Sequence, residues 1–321
     1  MFEEIIKSLA KSDILLKTEN IKEFDAGLNS TIFLANSSSG KLIIHMVNST
    51  IEHEYQKLDK KIMRVYAEIK KHSDIPTGDI ITSGKLSNKK VFFVTKYIEG
   101  TPLGKRNILD QKIMDVYNVK NSSKYITQLT NILLKIHSIK CKGFGYIDVN
   151  QTNLTGTYKS WIEYLRIETN RWLENLAIAK YKKVKYITTK EYKEYKQALN
   201  DLFEQNKYLM KIKRGSLIHW DINNPGNVLI NKGKISGIID FEWSIIGDPI
   251  WDLVLSNEDL QDKYSKTTNM NIKHIKRKLL LYRPLWFLWG TNTHLHRPHI
   301  LNICLSEFTT GLDKLRKEKM L

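Results

Sequence analysis

The apolar positions near the start of the chain, Phe2, Ile5, Ile6, Leu9 and Leu15, recur at close to helical spacing and predict an N-terminal helix. The pattern then shortens. Residues 24–34, a polar turn at 36–40 and residues 41–46 read as two strands joined tightly. Over residues 50–71 the apolar stripe Ile51, Tyr55, Leu58, Ile62, Val65, Tyr66 and Ile69 predicts a long charged helix, which His72 to Pro76 ends. Ile80-Ile81 and residues 91–95 are strands, and Gly100 and Pro102 mark a loop that reads as a domain boundary after them. Beyond it the period becomes helical. Tyr125, Ile126, Leu129, Ile132, Leu133 and Ile136 mark one helix that ends at His137, whose expected partners are helix-end carbonyls. Trp161, Leu165, Trp172 and Leu176 mark another. Residues 180–212 are amphipathic, and helices carrying Leu279, Leu280, Leu281, Trp286, Phe287 and Trp289 follow residue 255.

The most informative stretch is 216–253. Leu217-Ile218, residues 228–230 and residues 235–239 are short strand-like runs, and Asn231-Lys232-Gly233-Lys234 is a hairpin signal between the last two. Asp221 and Asn227 therefore lie on a loop entering a hairpin, and Asp240 leaves its far end. Folding the hairpin brings Asn227 and Asp240 together although thirteen residues separate them. An amide oxygen beside a carboxylate supplies the hard oxygen ligands that magnesium takes, and a second carboxylate can accept a hydroxyl proton.

This stretch resembles the catalytic and metal loops of the aminoglycoside phosphotransferase and choline kinase family, small-molecule relatives of the protein kinases. Those loops read His-Gly-Asp-x-x-x-x-Asn, then Ile-Asp-Trp/Phe-Glu, then Gly-Asp-Pro-x-x-Asp-Leu. Here they stand as His219-Trp220-Asp221 with Asn227, then Ile239-Asp240-Phe241-Glu242, then Gly247-Asp248-Pro249 through Asp252-Leu253. The resemblance implies that Asp221 deprotonates or orients the acceptor hydroxyl while Asn227 and Asp240 hold magnesium. One departure is that Gly226 occupies the fifth position after Asp221, so the loop carries one extra residue around Asn223-Asn224.

The same resemblance assigns residues upstream. The first hairpin would cover the nucleotide phosphates, with Gly27 letting the backbone approach. Thr95, Lys96 and Tyr97 would lead into a hinge whose backbone takes the adenine edge. The family's phosphate-contacting lysine or arginine falls at His45, a second departure, and Glu54 and Glu68 are the candidates for the glutamate that supports it. Protonated, His45 would help hold the phosphates, and nucleotide affinity would then fall as pH rises through about 6 to 8. Gly143-Phe144-Gly145-Tyr146 and Ser160-Trp161 also resemble the antibiotic-phosphotransferase branch.

Composition adds bounds. The 321 residues carry 51 Lys and Arg against 34 Asp and Glu, but the lysines are scattered and no nucleic-acid motif accompanies them, so nucleic acid is not the expected partner. Two cysteines make neither a disulfide framework nor a metal quartet. No apolar run reaches the roughly 18 residues of a membrane span. The N-terminus lacks a basic head followed by an apolar core, which with the cysteine usage predicts a cytoplasmic protein.

The expected fold is α+β, a bilobal protein-kinase-like arrangement with a nucleotide lobe over 1–99 and a mainly helical catalytic and acceptor lobe over 100–321. The expected reaction moves the γ-phosphoryl group of ATP or GTP to a small-molecule hydroxyl with Mg2+. Glu242, Glu258, Asp259 and Asp262 are the carboxylates that would attract a polycationic acceptor such as an aminoglycoside. A choline- or homoserine-type metabolite and a macrolide are alternative acceptors. A catalytically silent kinase fold that binds nucleotide or a partner is the competing class, motivated by His45 and the lengthened loop.

Overall fold

The computed structural model describes residues 2–26, 30–47, 57–72, 74–104, 122–178 and 185–321. In chain order its elements are α1 (Phe2–Ala10), β1 (Ile21–Ala26), β2 (Ser30–Ser37), β3 (Gly40–Val47), α2 (Leu58–Lys70), β4 (Ile80–Lys85), β5 (Val91–Lys96) and β6 (Thr101–Pro102). These are followed by α3 (Ser122–Ser138), β7 (Lys140–Cys141), β8 (Phe144–Ile147), β9 (Gly156–Tyr158), α4 (Trp161–Ile178), α5 (Thr189–Met210) and β10 (Gly215–Ile218). The last are β11 (Val228–Asn231), β12 (Lys234–Ile238), β13 (Ile245–Gly247), α6 (Glu258–Thr268), α7 (Ile272–Thr293) and α8 (Pro298–Lys317). They form two compact units. The first comprises residues 1–103, 147–154 and 226–244, and the second the remainder. The Asn227–Asp240 hairpin thus folds with the N-terminal sheet, far from it in sequence.

The first unit holds an antiparallel sheet in the order β1-β2-β3-β5-β4. Strand β3 shows why it forms. Leu42, Ile44 and Met46 alternate into a core shared with Ile5, Leu9, Phe92 and Val94, while Ile43 and His45 face the other way. Helix α2 buries Leu58, Ile62, Val65, Tyr66 and Ile69 against β4 and β5. The residues read as one strand over 24–34 belong to two, with Ala26 pairing antiparallel with Thr31. Gly27 itself lies outside the described residues, as do Glu54 and the start of the expected long helix.

The hairpin read from Asn231 to Lys234 forms as expected. Asn231 pairs with Lys234, and Lys232 and Gly233 both have positive φ, 47° and 76°, the turn geometry that suits the twist of paired strands. Strand β6 adds to β11, making a three-stranded sheet in the order β12-β11-β6.

The second unit is mainly helical, with a small sheet in the order β7-β10-β13-β8-β9. Helix α5 starts at a reciprocal cap. The Thr188 hydroxyl accepts from the Glu191 amide at 3.1 Å, and the Glu191 carboxylate accepts from the Thr188 amide at 2.7 Å. Trp161, Trp220, Trp251 and Tyr282 are buried together in the core of this unit. Trp286, Phe287 and Trp289 are buried core residues. No described helix is long and apolar enough to cross a membrane.

Candidate active site

In the second unit, pairing of β10 with β13, Leu217 opposite Ile246, brings the chain after Ile218 beside the Gly247–Leu253 segment. The buried Asp252 carboxylate then accepts three bonds: from the His219 amide at 2.8 Å, the Trp220 amide at 2.7 Å and His137 Nε2 at 3.0 Å. His137 Nδ1 meets the Tyr264 hydroxyl at 2.9 Å. Burial, then the nearby Asp248 and Asp252 charges, pushes the Tyr264 phenol up, so it stays protonated and donates to Nδ1. His137 therefore does not bond helix-end carbonyls. It braces the Asp252 carboxylate, which in turn binds the His219 and Trp220 amides.

Asp248 has its own set of partners. It accepts from the Ile250 amide at 3.1 Å, from buried Lys278 at 2.5 Å and from the Tyr282 hydroxyl at 2.8 Å. The Gly-Asp-Pro segment that presents Asp252 is pinned by these bonds.

Trp220 adopts φ 78°, a left-handed conformation that costs a bulky residue about 1–2 kcal/mol. Its ring is buried against Trp251 at 4.6 Å and Trp289 at 5.3 Å, and its amide is bound by Asp252. Packing of a whole indole outweighs the backbone cost. The strained residue fixes the direction in which the next one, Asp221, leaves the loop. Asp221 is nearly buried at 8% exposure. The Asn224 amide closes a turn onto its carbonyl at 3.2 Å, and the Asn224 side chain approaches its carboxylate at 3.4 Å. Asn223 is buried, and neither end of its side-chain amide has a hydrogen-bond partner.

In the first unit, Val228 pairs with Ile238 and the Ile239 amide donates to the Asn227 carbonyl at 3.0 Å. The hairpin therefore sets Asn227 beside the Ile239-Asp240 step. Asp240 has φ 68°, again a left-handed residue, and it leads into a single tight turn over Phe241–Trp243. Helix α2 packs on this turn: the Tyr66 ring meets Phe241 at 5.6 Å, and Lys61 donates to the Glu242 carbonyl at 2.6 Å. Burial, then the Asp240 charge, raises the Glu242 carboxyl well above the usual range, with Lys61 opposing. By chemical type, an amide oxygen from Asn227 and a carboxylate from Asp240, whose backbones the hairpin brings side by side, are ligands that suit a hard divalent cation. Glu242 stands apart from the other acidic candidates. Glu258, Asp259 and Asp262 lie on α6 of the second unit, with Glu258 paired to Lys276 at 3.3 Å.

The upstream residues are placed as follows. Thr95 is buried on β5. Lys96 bridges to Asp79 at 2.9 Å, and hydrogen bonds from Lys96 and Lys70 hold the Asp79 carboxyl low. The Tyr97 amide donates to the Lys41 carbonyl at 3.0 Å, while the Lys41 ammonium pairs with Glu99 at 3.2 Å. Glu68 pairs with Lys71 at 2.6 Å on the surface.

His45 stacks flat on Phe93, centroids 4.2 Å apart, and its direct cross-strand neighbours are Ile32 and Phe93. Burial lowers its pKa from 6.5 to about 4, so the ring is neutral between about pH 6 and 8. A neutral ring opposes the expectation that protonated His45 makes nucleotide affinity fall through that range. A stability effect replaces it. Between pH 6.5 and about 4 the unfolded chain takes up a proton that the folded chain refuses, so stability falls as pH falls. The loss should be on the order of 2 kcal/mol. Urea unfolding of wild type and His45→Phe at pH 7 and pH 5 checks it: equal pH dependence in the two proteins would mean the ring carries no such linkage.

Lys61 and the Asp252–His137–Tyr264 network escaped the sequence reading. Lys61 did leave a signal, because with Leu58, Ile62, Val65 and Ile69 it occupies an apolar-face slot of α2.

An antiparallel-sheet unit that includes the Asn227–Asp240 hairpin, and a mainly helical unit whose His219–Asp221 loop is bound by Asp252, match a bilobal kinase-like fold. The profile described as the APH phosphotransferase enzyme family matches residues 20–267, and the chain belongs to that family. It is accordingly a nucleotide-dependent phosphotransferase. Among solved structures it is similar to aminoglycoside phosphotransferase APH(4)-Ia, with a TM-score of 0.67 at 13% identity over 98% of this chain and 99% of that one. The GDP complex of wild-type aminoglycoside 2'-phosphotransferase-IIIa gives 0.65 at 13% identity, covering 98% of each chain. A putative fructosamine-3-kinase from Haemophilus somnus 129PT gives 0.66 at 13% identity, over 98% of this chain and 97% of that one. At such identity these likenesses concern the fold. Among curated proteins no sequence matches the chain.

Proposed function

We propose that the protein transfers the γ-phosphoryl group of ATP or GTP to a hydroxyl of a small molecule of aminoglycoside type, using magnesium. The observation that carries this reading is the hairpin register, which sets Asn227 beside the Ile239-Asp240 step. Those two residues would hold the metal, which when bound neutralises charge on the phosphates. Asp221 takes the proton of the acceptor hydroxyl as the new oxygen–phosphorus bond forms. The bond from the γ-phosphorus to the bridging oxygen breaks, and a nucleoside diphosphate leaves. The strained Trp220 backbone and the Asp252 bonds hold Asp221 in one direction, so that catalysis is chiefly a matter of positioning. The Glu258-Asp259 start of α6, with Asp262 one turn on, supplies the negative charge that a polycationic acceptor requires.

Nucleotide consumption should be measured with aminoglycosides, macrolides, choline and homoserine, each with and without magnesium. The expected result is magnesium-dependent turnover with an aminoglycoside at least about 10-fold above the others. Preferential turnover of a neutral or monocationic acceptor would displace the aminoglycoside reading, and turnover unaffected by chelation would displace the metal.

A further inference from the structure

We infer that Lys61, on helix α2, supplies the positive charge that lets the first unit hold the nucleotide's polyphosphate, a task for which β3 offers His45 and, at its exposed start, Lys41. This rests on the nucleotide-dependent reading above. Among the described residues of this unit, Lys61 is the lysine whose side chain is buried. Several other lysines near the sheet are paired at the surface: Lys41 to Glu99, Lys70 and Lys96 to Asp79, and Lys71 to Glu68.

Burying an ammonium costs several kcal/mol, and an aliphatic side chain of similar length would pack on α2 without that cost. Here the ammonium binds the Glu242 carbonyl at 2.6 Å, in a turn that also carries the Asp240 and Glu242 carboxylates. Acidic groups at this turn, Asp240 above all, would repel the several negative charges of a polyphosphate. Lys61 offsets them and fixes the turn by its bond to the carbonyl, making it a positioning residue for the phosphates. The cation comes from the helix and not from the strand, where a flat stack on Phe93 occupies His45.

The experiment is displacement of a fluorescent nucleotide from the full chain, with magnesium, by ATP, GTP and adenosine. Wild type, Lys61→Met, Lys61→Gln and Lys61→Arg are compared, with thermal melting recorded for each. Lys61→Gln keeps a donor for the carbonyl but removes the charge, and it serves if Lys61→Met does not fold. Lys61→Met and Lys61→Gln should weaken triphosphate binding by about 10-fold or more and leave adenosine within about 2-fold. Lys61→Arg should retain the preference for triphosphate over adenosine. Triphosphate binding unchanged in the uncharged variants, or triphosphate and adenosine lost in parallel, would overturn the role of Lys61. A wild type that binds neither ATP nor GTP would instead overturn the nucleotide reading on which it rests.

Discussion

Asp221→Asn is expected to lower turnover on the order of 1,000-fold while nucleotide affinity stays within about 2-fold of wild type. The substitution keeps the shape of the side chain and its place after Trp220, so the loop itself should persist. What it removes is the acceptor of the hydroxyl proton. An amide oxygen is a far weaker base than a carboxylate, and a positioned general base contributes about 100-fold to 10,000-fold. The nucleotide should bind normally, because its expected contacts lie in the first unit and Asp221 belongs to the second. Turnover within a few-fold of wild type would remove Asp221 from the chemistry.

Asp252→Ala should be the most damaging change away from the reacting groups. It leaves the His219 and Trp220 amides and His137 Nε2 buried without the carboxylate that all three share. Stranding one partner of a buried charged pair costs about 3–5 kcal/mol, and the left-handed Trp220 backbone loses the bond that holds it. The expected effect on the melting temperature of a chain this size is a fall on the order of 10 °C. Turnover should fall as well, because Asp221 follows directly on the released segment. Asp252→Asn, which keeps one acceptor oxygen, should lie between the two. A melting temperature for Asp252→Ala within about 2 °C of wild type would mean the network braces nothing.

The elements legible in the sequence are those whose cause is local. The apolar period of α2, the alternation along β3 and the Asn-Lys-Gly-Lys turn each contain their own explanation within a few residues. The pairing of Asn227 with the Asp240 step was legible for the same reason, since one short hairpin produces it. The break between β1 and β2 was not read, although Gly27, Asn29 and Ser30 where the two runs meet are turn-type residues. The bracing of the loop was hidden more deeply. His137 and Tyr264, 127 residues apart, look like ordinary helix residues alone, and Asp252, though part of the Gly-Asp-Pro-x-x-Asp-Leu motif, does not announce the partners it joins. Lys61 was visible as a lysine on an apolar face, but only the neighbouring carboxylates give its charge a purpose. His45 was read from its position in the strand, whereas its protonation depends on the Phe93 ring stacked against it.

The central claim is transfer of a phosphoryl group to a small-molecule hydroxyl at Asp221. Mass spectrometry of an aminoglycoside incubated with ATP or GTP and magnesium tests it most directly, with wild type and Asp221→Asn run side by side. The expected result is an acceptor heavier by one phosphoryl group with wild type, in step with nucleoside diphosphate formed, and almost none with Asp221→Asn. Nucleoside diphosphate released with every acceptor unmodified, or equal phosphorylation by both proteins, would contradict it.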